Sequence, residues 1–246
     1  MPESFSWLMF IPAIGVNHEL LAIAHAWLVT SILLVLGLVV RGQIKKARAN
    51  LTRDDLVPED SLTLRNGWEL YVESILGMME GLLGHHARPF FWLIGTLFIY
   101  IFANNLLGVL PGLLPATENV NTNAALAIIV FVVYNVVGVR SHGVGGYLKH
   151  FLGPVMWLAP LMIVVEVISH LVRPASLTIR LFGNINGDHL VLAIFSQLIP
   201  SISTPLLGLL LPIPFLALGI FVAFMQAFVF ALLTTIYIAM ASSHDH

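Results

Sequence analysis

Cysteine is absent from the chain. That excludes disulfides, thiolate metal sites and cysteine nucleophiles, and it leaves the redox compartment open. Charge is scarce. Only 10% of the 246 residues are Asp, Glu, Lys or Arg, against about 25% in soluble domains. The deficit is too large for a water-facing surface, so lipid replaces much of the water contact. A formal net charge of −2 gives no electrostatic basis for binding nucleic acid. Repeats of solenoid type are missing as well, and the opening MPESFSWLMF lacks the basic n-region of a cleavable signal peptide.

What remains is 58% hydrophobic and arranged in long runs. A bilayer-spanning helix needs about 20 apolar residues. The first qualifying run is 20–40. It precedes the densest basic segment in the chain, with Arg41, Lys45, Lys46, Arg48 and Arg53. The positive-inside rule puts that segment in the cytoplasm and the N-terminus outside. After a polar linker containing Pro58, residues 65–84 place Trp68, Tyr71, Val72, Ile75, Leu76, Met79, Leu82 and Leu83 at helical spacing, with Glu69, Glu73 and Glu80 between them. This predicts an amphipathic helix on the membrane surface or against a partner.

Residues 90–140 read as a hairpin of two spans, roughly 90–110 and 124–139, followed by the Gly-rich GVGGYLKHFLGP as a turn or interfacial piece. Segments 155–200 and 205–241 are overlong for a bilayer, so residues 155–241 read as a long, tilted helical hairpin. The expectation is one all-α integral membrane domain over 1–246: about five spans plus an interfacial helix. Five spans place the C-terminus in the cytoplasm.

The stretch Glu166–Leu190 carries the chemistry. Charged groups inside a span are costly and by default mark ion paths or buried pairs. At about 100° per residue, Glu166, Ser169, Arg173, Ser176, Arg180, Asn184 and Asp188 fall within an arc of roughly 120°. One helix thus presents a polar stripe long enough to join two aqueous sides. Arg180 lies among Leu177, Ile179, Leu181 and Phe182. A guanidinium stays protonated, so Arg180 is either a fixed positive barrier that attracts a carboxylate or half of a static pair with Glu166 or Asp188. Glu166, Asp188 and His189 are able to take and release protons.

Arg173 before Pro174 reads as a side chain snorkelling to an interface. Ser169 and Ser176 fit either a channel lining or close helix packing, and Gln226 fits either a path residue or an interhelical hydrogen bond. His189 falls opposite Arg180 on the wheel. Either the helix deforms near Gly183 and Gly187, or His189 faces another cavity. Two rivals remain: a secondary transporter, which requires internal repeats, and a membrane enzyme or haem protein with facing histidines, for which only His25, His170 and His189 qualify.

RPASLTIRLFGNINGDHL, together with FMQAFVFALLTTIYIAM, NNLLGVLPG, VNTNAALA and ELYVESILGMMEGLLG, resembles subunit a of the F-type ATP synthase. The similarity runs in order over about residues 65–240. It implies a subunit that moves an ion, taken as a proton, through two half-channels at a rotating ring of c subunits. That movement couples the ion gradient to ATP synthesis or hydrolysis without a catalytic site or cofactor of the subunit's own. By position, Arg180 matches the essential ring-facing arginine. Asn184, His189 and Gln226 match the outer half-channel, where Asp188 is added as a relay. Glu166, Ser169 and Ser176 are assigned to the inner half-channel. Some members carry an ionisable residue where this chain has Gly219, and Asp188 is the obvious substitute. The implied partners are the c-ring, b-type peripheral-stalk subunits, the rest of the complex and the lipid bilayer. The implied location is the inner membrane of a bacterium.

Overall fold

The computed structural model describes residues 18–49, 63–110, 113–150, 152, 158–198 and 212–243. The linker with Arg53 and Pro58, and the C-terminal His244 and His246, lie outside them. Among the described residues six α-helices follow in chain order: α1 (His18–Ala49), α2 (Leu64–Leu83), α3 (Phe91–Gly108), α4 (Val120–His150), α5 (Ala159–Leu198) and α6 (Pro212–Ser242). Among the described residues there are no strands. All of these helices except α2 contain segments long and apolar enough to cross a membrane. The chain is an all-α integral membrane protein.

Helix α1 continues through the basic segment as far as Ala49 and does not end with the apolar run. Lys, Arg and Ala are good helix formers, so loss of hydrophobicity alone does not stop a helix. Leu21, His25 and Val29 form its buried edge. His25 Nδ1–H donates to the Leu21 carbonyl at 2.8 Å, and Nε2 accepts the Leu114 amide at 3.3 Å. One neutral tautomer satisfies both contacts, and it ties α1 to the loop after α3.

The amphipathic α2 docks on the bundle itself. Thr63 caps it by accepting from the Asn66 amide at 3.3 Å, which satisfies one orphan donor of the first turn. Ile75, Met79 and Leu83 enter the common core, and the Tyr71 hydroxyl donates to the Gly95 carbonyl of α3. Burial of that ring pushes the Tyr71 phenol well above its ordinary pKa. Glu69, Glu73 and Glu80 remain exposed.

The Gly-rich segment after span 124–139 is helical as far as His150. Helix α4 kinks at Gly143, where φ is +70° and ψ 163°, a conformation that favours glycine. The short limb beyond the kink turns Tyr147 back onto Gly138, where an added Cβ would lie 2.5 Å from the tyrosine ring. The Tyr147 hydroxyl donates to Asn135 Oδ1 at 2.6 Å. Helix α6 packs against α3 on one side and α4 on another, and α4 carries α5. Phe98, Phe102 and Phe224 interlock α3 with α6, their rings meeting edge-on at 6.0 and 6.3 Å. Offset and edge contacts of this kind add to the area they bury.

Candidate functional site

Helix α5 touches the bundle along one narrow line. Of its described side chains, Ala159, His170, Leu177, Leu181 and Ile185 are buried. They fall on one stripe of the helix. Most of the remaining surface lies outside the packing, including Leu161, Val164, Ile168, Leu171, Val172 and Ile179.

The polar stripe runs along the edge of that packed line. Glu166, Ser169, Arg173 and Ser176 are half-buried, and Arg180 and Asn184 are exposed. Among the described residues Arg180 has no ion-pair partner, whereas Glu166 meets His170 at 3.4 Å. Glu166 and Arg180 are also separated by roughly 21 Å along the helix. A static Glu166–Arg180 pair is therefore not what the chain forms.

The helix continues through Gly183 and Gly187, so the backbone does not deform there. Position 189 lies about half a turn around the axis from position 180. The side chains of Asp188 and His189 lie outside the described residues. Gln226 is buried at 8% exposure on the packed side of α6. Among the described residues no hydrogen bond joins it to Arg180. The structure thus brings Arg180 and Asn184 to one open face and leaves Gln226 in the interior.

At Gly219 an added Cβ would lie 3.3 Å from Val109 Cγ2. A side chain at this position would press on the Val109 side chain, just past the end of α3.

A second polar group went unrecognised in the sequence. The His170 ring, 8% exposed, lies with Nε2 3.4 Å from Glu166 Oε1 and Nδ1 3.1 Å from the Tyr134 hydroxyl. An ionised carboxylate only accepts. With a hydrogen on Nε2 facing the carboxylate, Nδ1 of a neutral ring accepts from the Tyr134 hydroxyl. Arg173, expected at an interface, instead places its guanidinium 5.6 Å from the Tyr134 ring centre and 5.5 Å from that of Tyr237. Desolvated cation–π contacts are worth about 2 kcal/mol. Three helices meet at this point, and Pro174, which has no N–H to give the His170 carbonyl, leaves α5 unbroken. Two of the three histidines weighed as haem ligands, His25 and His170, are each engaged by separate partners, and the side chain of the third, His189, lies outside the described residues.

A third group joins the end of α3 to the start of α4. Asn105 Oδ1 accepts from the Thr117 hydroxyl at 2.7 Å, and Asn123 Nδ2 donates to the Thr117 carbonyl at 2.7 Å. Among the described residues Asn104 Oδ1, Asn105 Nδ2 and Asn123 Oδ1 are buried with no hydrogen-bond partner. Such groups cost about 1–3 kcal/mol each if left dry.

A membrane bundle with a permanently charged arginine on the open face of one long helix belongs to the class of intramembrane ion-handling proteins. The family model for the ATP synthase A chain matches residues 23–239. The "ATP synthase subunit a" of Bdellovibrio bacteriovorus is 41% identical over 243 residues, covering 99% of this chain and 100% of that protein. The one from Geotalea uraniireducens is 44% identical over 229 residues, covering 92% and 89%. That of Trichlorobacter lovleyi is 45% identical over 225 residues, covering 92% and 88%. The chain belongs to the ATP synthase A chain family, the proton-translocating membrane subunit of the F-type ATP synthase. It is a multi-pass inner-membrane protein of bacterial type.

Proposed function

We propose that protons cross the membrane through two half-paths that meet at Arg180, on a face of α5 laid against a ring of c subunits. The subunit carries ions and catalyses no reaction itself, and b-type stalk subunits complete the assembly. The observation that carries the reading is the exposure of Arg180 and Asn184 on the unpacked side of a membrane helix. A lone guanidinium facing lipid is costly, so this side suits a partner that brings a carboxylate. Opposite Arg180 that carboxylate is stabilised in its ionised form. Elsewhere it is protonated and faces lipid without a charge.

The inner half-path uses Glu166, Ser169 and Ser176. The outer one uses Asn184, Asp188, His189 and Gln226. The unpaired amide atoms of Asn104, Asn105 and Asn123 support a hydrated outer region, because water supplies the donors and acceptors they need. The basic end of α1 faces the cytoplasm, so the N-terminus is outside and Glu166 is near the inner mouth.

A set of single cysteines tests the arrangement in a chain that has none of its own. Asn184→Cys cross-links to a cysteine in the ring, while Ile185→Cys, one residue on but 6% exposed, does not. Lys45→Cys reacts with impermeant reagent from the cytoplasmic side. Equal cross-linking at 184 and 185, or labelling of position 45 only from outside, overturns the placement.

Asp188→Asn is expected to slow ion-driven ATP synthesis several-fold in a complex that still assembles. Unchanged proton flux in that variant removes Asp188 from the path.

A further inference from the structure

The residues assigned to the inner half-path by family position stop at the carboxylate, yet the carboxylate is held by a residue outside that set. We infer that His170 is the positioning residue of the inner mouth, fixing Glu166 between the path and the cytoplasm and making the charge of that mouth follow cytoplasmic pH. The inference rests on the proposed inner half-path through Glu166.

Three observations carry it. His170 bridges two groups, with the Tyr134 hydroxyl 3.1 Å from Nδ1 and Glu166 Oε1 3.4 Å from Nε2. The imidazole is buried while the carboxylate it holds is 30% exposed at the side chain, so the pair spans the boundary between packing and opening. The ring is also held from the side: Tyr147 of the kinked limb meets it edge-on at 6.4 Å between centres, and Tyr134 lies tilted against it at 5.8 Å. A histidine that only filled space would not need this orientation.

The charged and titratable groups around it come from three helices. Glu166 and Arg173 belong to α5, Tyr134 and Tyr147 to α4, and Tyr237 to α6. Arg173 is fixed in charge and the phenols are neutral at working pH. With His170 neutral, the Glu166 carboxylate balances the Arg173 guanidinium. When the ring gains a proton on Nδ1, the Tyr134 hydroxyl turns from donor to acceptor. The cluster then carries one net positive charge, which lowers the local proton concentration. Imidazole makes this change near neutral pH, so acidifying the cytoplasmic side turns the mouth from neutral to proton-repelling.

The test uses the whole complex in inverted membrane vesicles. Passive proton conduction is measured after removal of the catalytic head, at constant driving force, with the cytoplasmic-side pH varied from about 5.5 to 8 across the ordinary histidine range. His170→Leu is expected to lower conduction about tenfold at high pH, the scale of losing one contact to a charged group, and to lose the decline at low pH because leucine cannot be protonated. His170→Gln keeps a donor for Glu166 and cannot be protonated. It is expected to conduct within about twofold of the unmodified complex at high pH, and to lose the decline at low pH. In a Glu166→Gln background, His170→Leu is expected to add nothing, as for two residues acting as a unit.

Complex content is checked by immunoblot. If His170→Leu fails to assemble, the pH profile of His170→Gln decides. A His170→Gln profile that still declines like the unmodified one overturns the inference. So does additivity with Glu166→Gln. In both cases the wider reading survives as long as Arg180→Ala blocks coupled transport in the same vesicles.

Discussion

Arg180→Ala abolishes ATP-driven proton pumping and coupled ATP synthesis while the subunit still inserts and the complex assembles. The side chain is exposed and has no ion-pair partner among the described residues, so its removal leaves no cavity and no stranded buried charge. What is lost is the fixed positive charge opposite the ring carboxylate. Without it the ionised form has no partner at the interface and the barrier between the half-paths weakens, so passive leak rises as coupling disappears. Arg180→Lys keeps the charge but not the planar, permanently protonated fork, and it is expected to fail as well. A purely structural role for Arg180 predicts loss of assembly, with rescue when Asp188 is neutralised at the same time. The measurement is proton pumping in inverted vesicles with immunoblotted complex content. Normal pumping by an assembled Arg180→Ala complex would sink the proposed mechanism.

Tyr134→Ala has the opposite profile: folding is lost before transport is tested. Tyr134 is among the largest fully buried side chains, at 1% exposure. Its ring supports the Arg173 guanidinium and packs edge-on against Phe131 at 5.4 Å. Deleting a buried aromatic ring costs about 3–5 kcal/mol in well-packed cores, comparable to a large part of a domain's total stability. The subunit is expected to fall to a small fraction of its normal level in membranes, and the remaining complex to melt at lower temperature in detergent. Tyr134→Phe keeps the ring and the cation–π platform and loses only the hydroxyl, so it is expected to assemble near normally. Equal abundance and melting of Tyr134→Ala and the unmodified complex would show that the ring bears little of the packing.

The polar stripe of α5 was legible in the sequence because the helix runs unbroken past Pro174 and through Gly183, so a fixed angle per residue holds from Glu166 to Asn184. The wheel put Arg180 on that stripe, but that the stripe lies along an open face is set by the packed line of Leu177, Leu181 and Ile185. The housing of Arg173 was not legible. Its two aromatic partners lie on α4 and α6, and no local spacing signals that these helices converge there. Likewise, GVGGY reads as a turn on composition alone. Only the return of Tyr147 onto Gly138 shows a second helical limb with a defined direction. The docking of α2 was half legible. Its apolar face was plain, but whether that face met lipid, a partner or its own bundle depended on tertiary contacts. The buried amides at the end of α3 and the start of α4 were visible as letters without a role, since burial with unpaired atoms is a property of packing and not of composition.

Helix α5 has 40 residues, about 60 Å at 1.5 Å per residue, against a hydrocarbon layer of about 30 Å. In the proposed arrangement it leans far from the membrane normal, and places along it differ in compass direction as well as in depth. Glu166 and Arg180 then address the ring at different azimuths. Distance along this one helix acts as an angular scale, setting the arc through which a proton-loaded site must be carried before it reaches its exit. Inserting residues between them would therefore shift the timing of release within each turn of the rotor, even with every polar side chain retained.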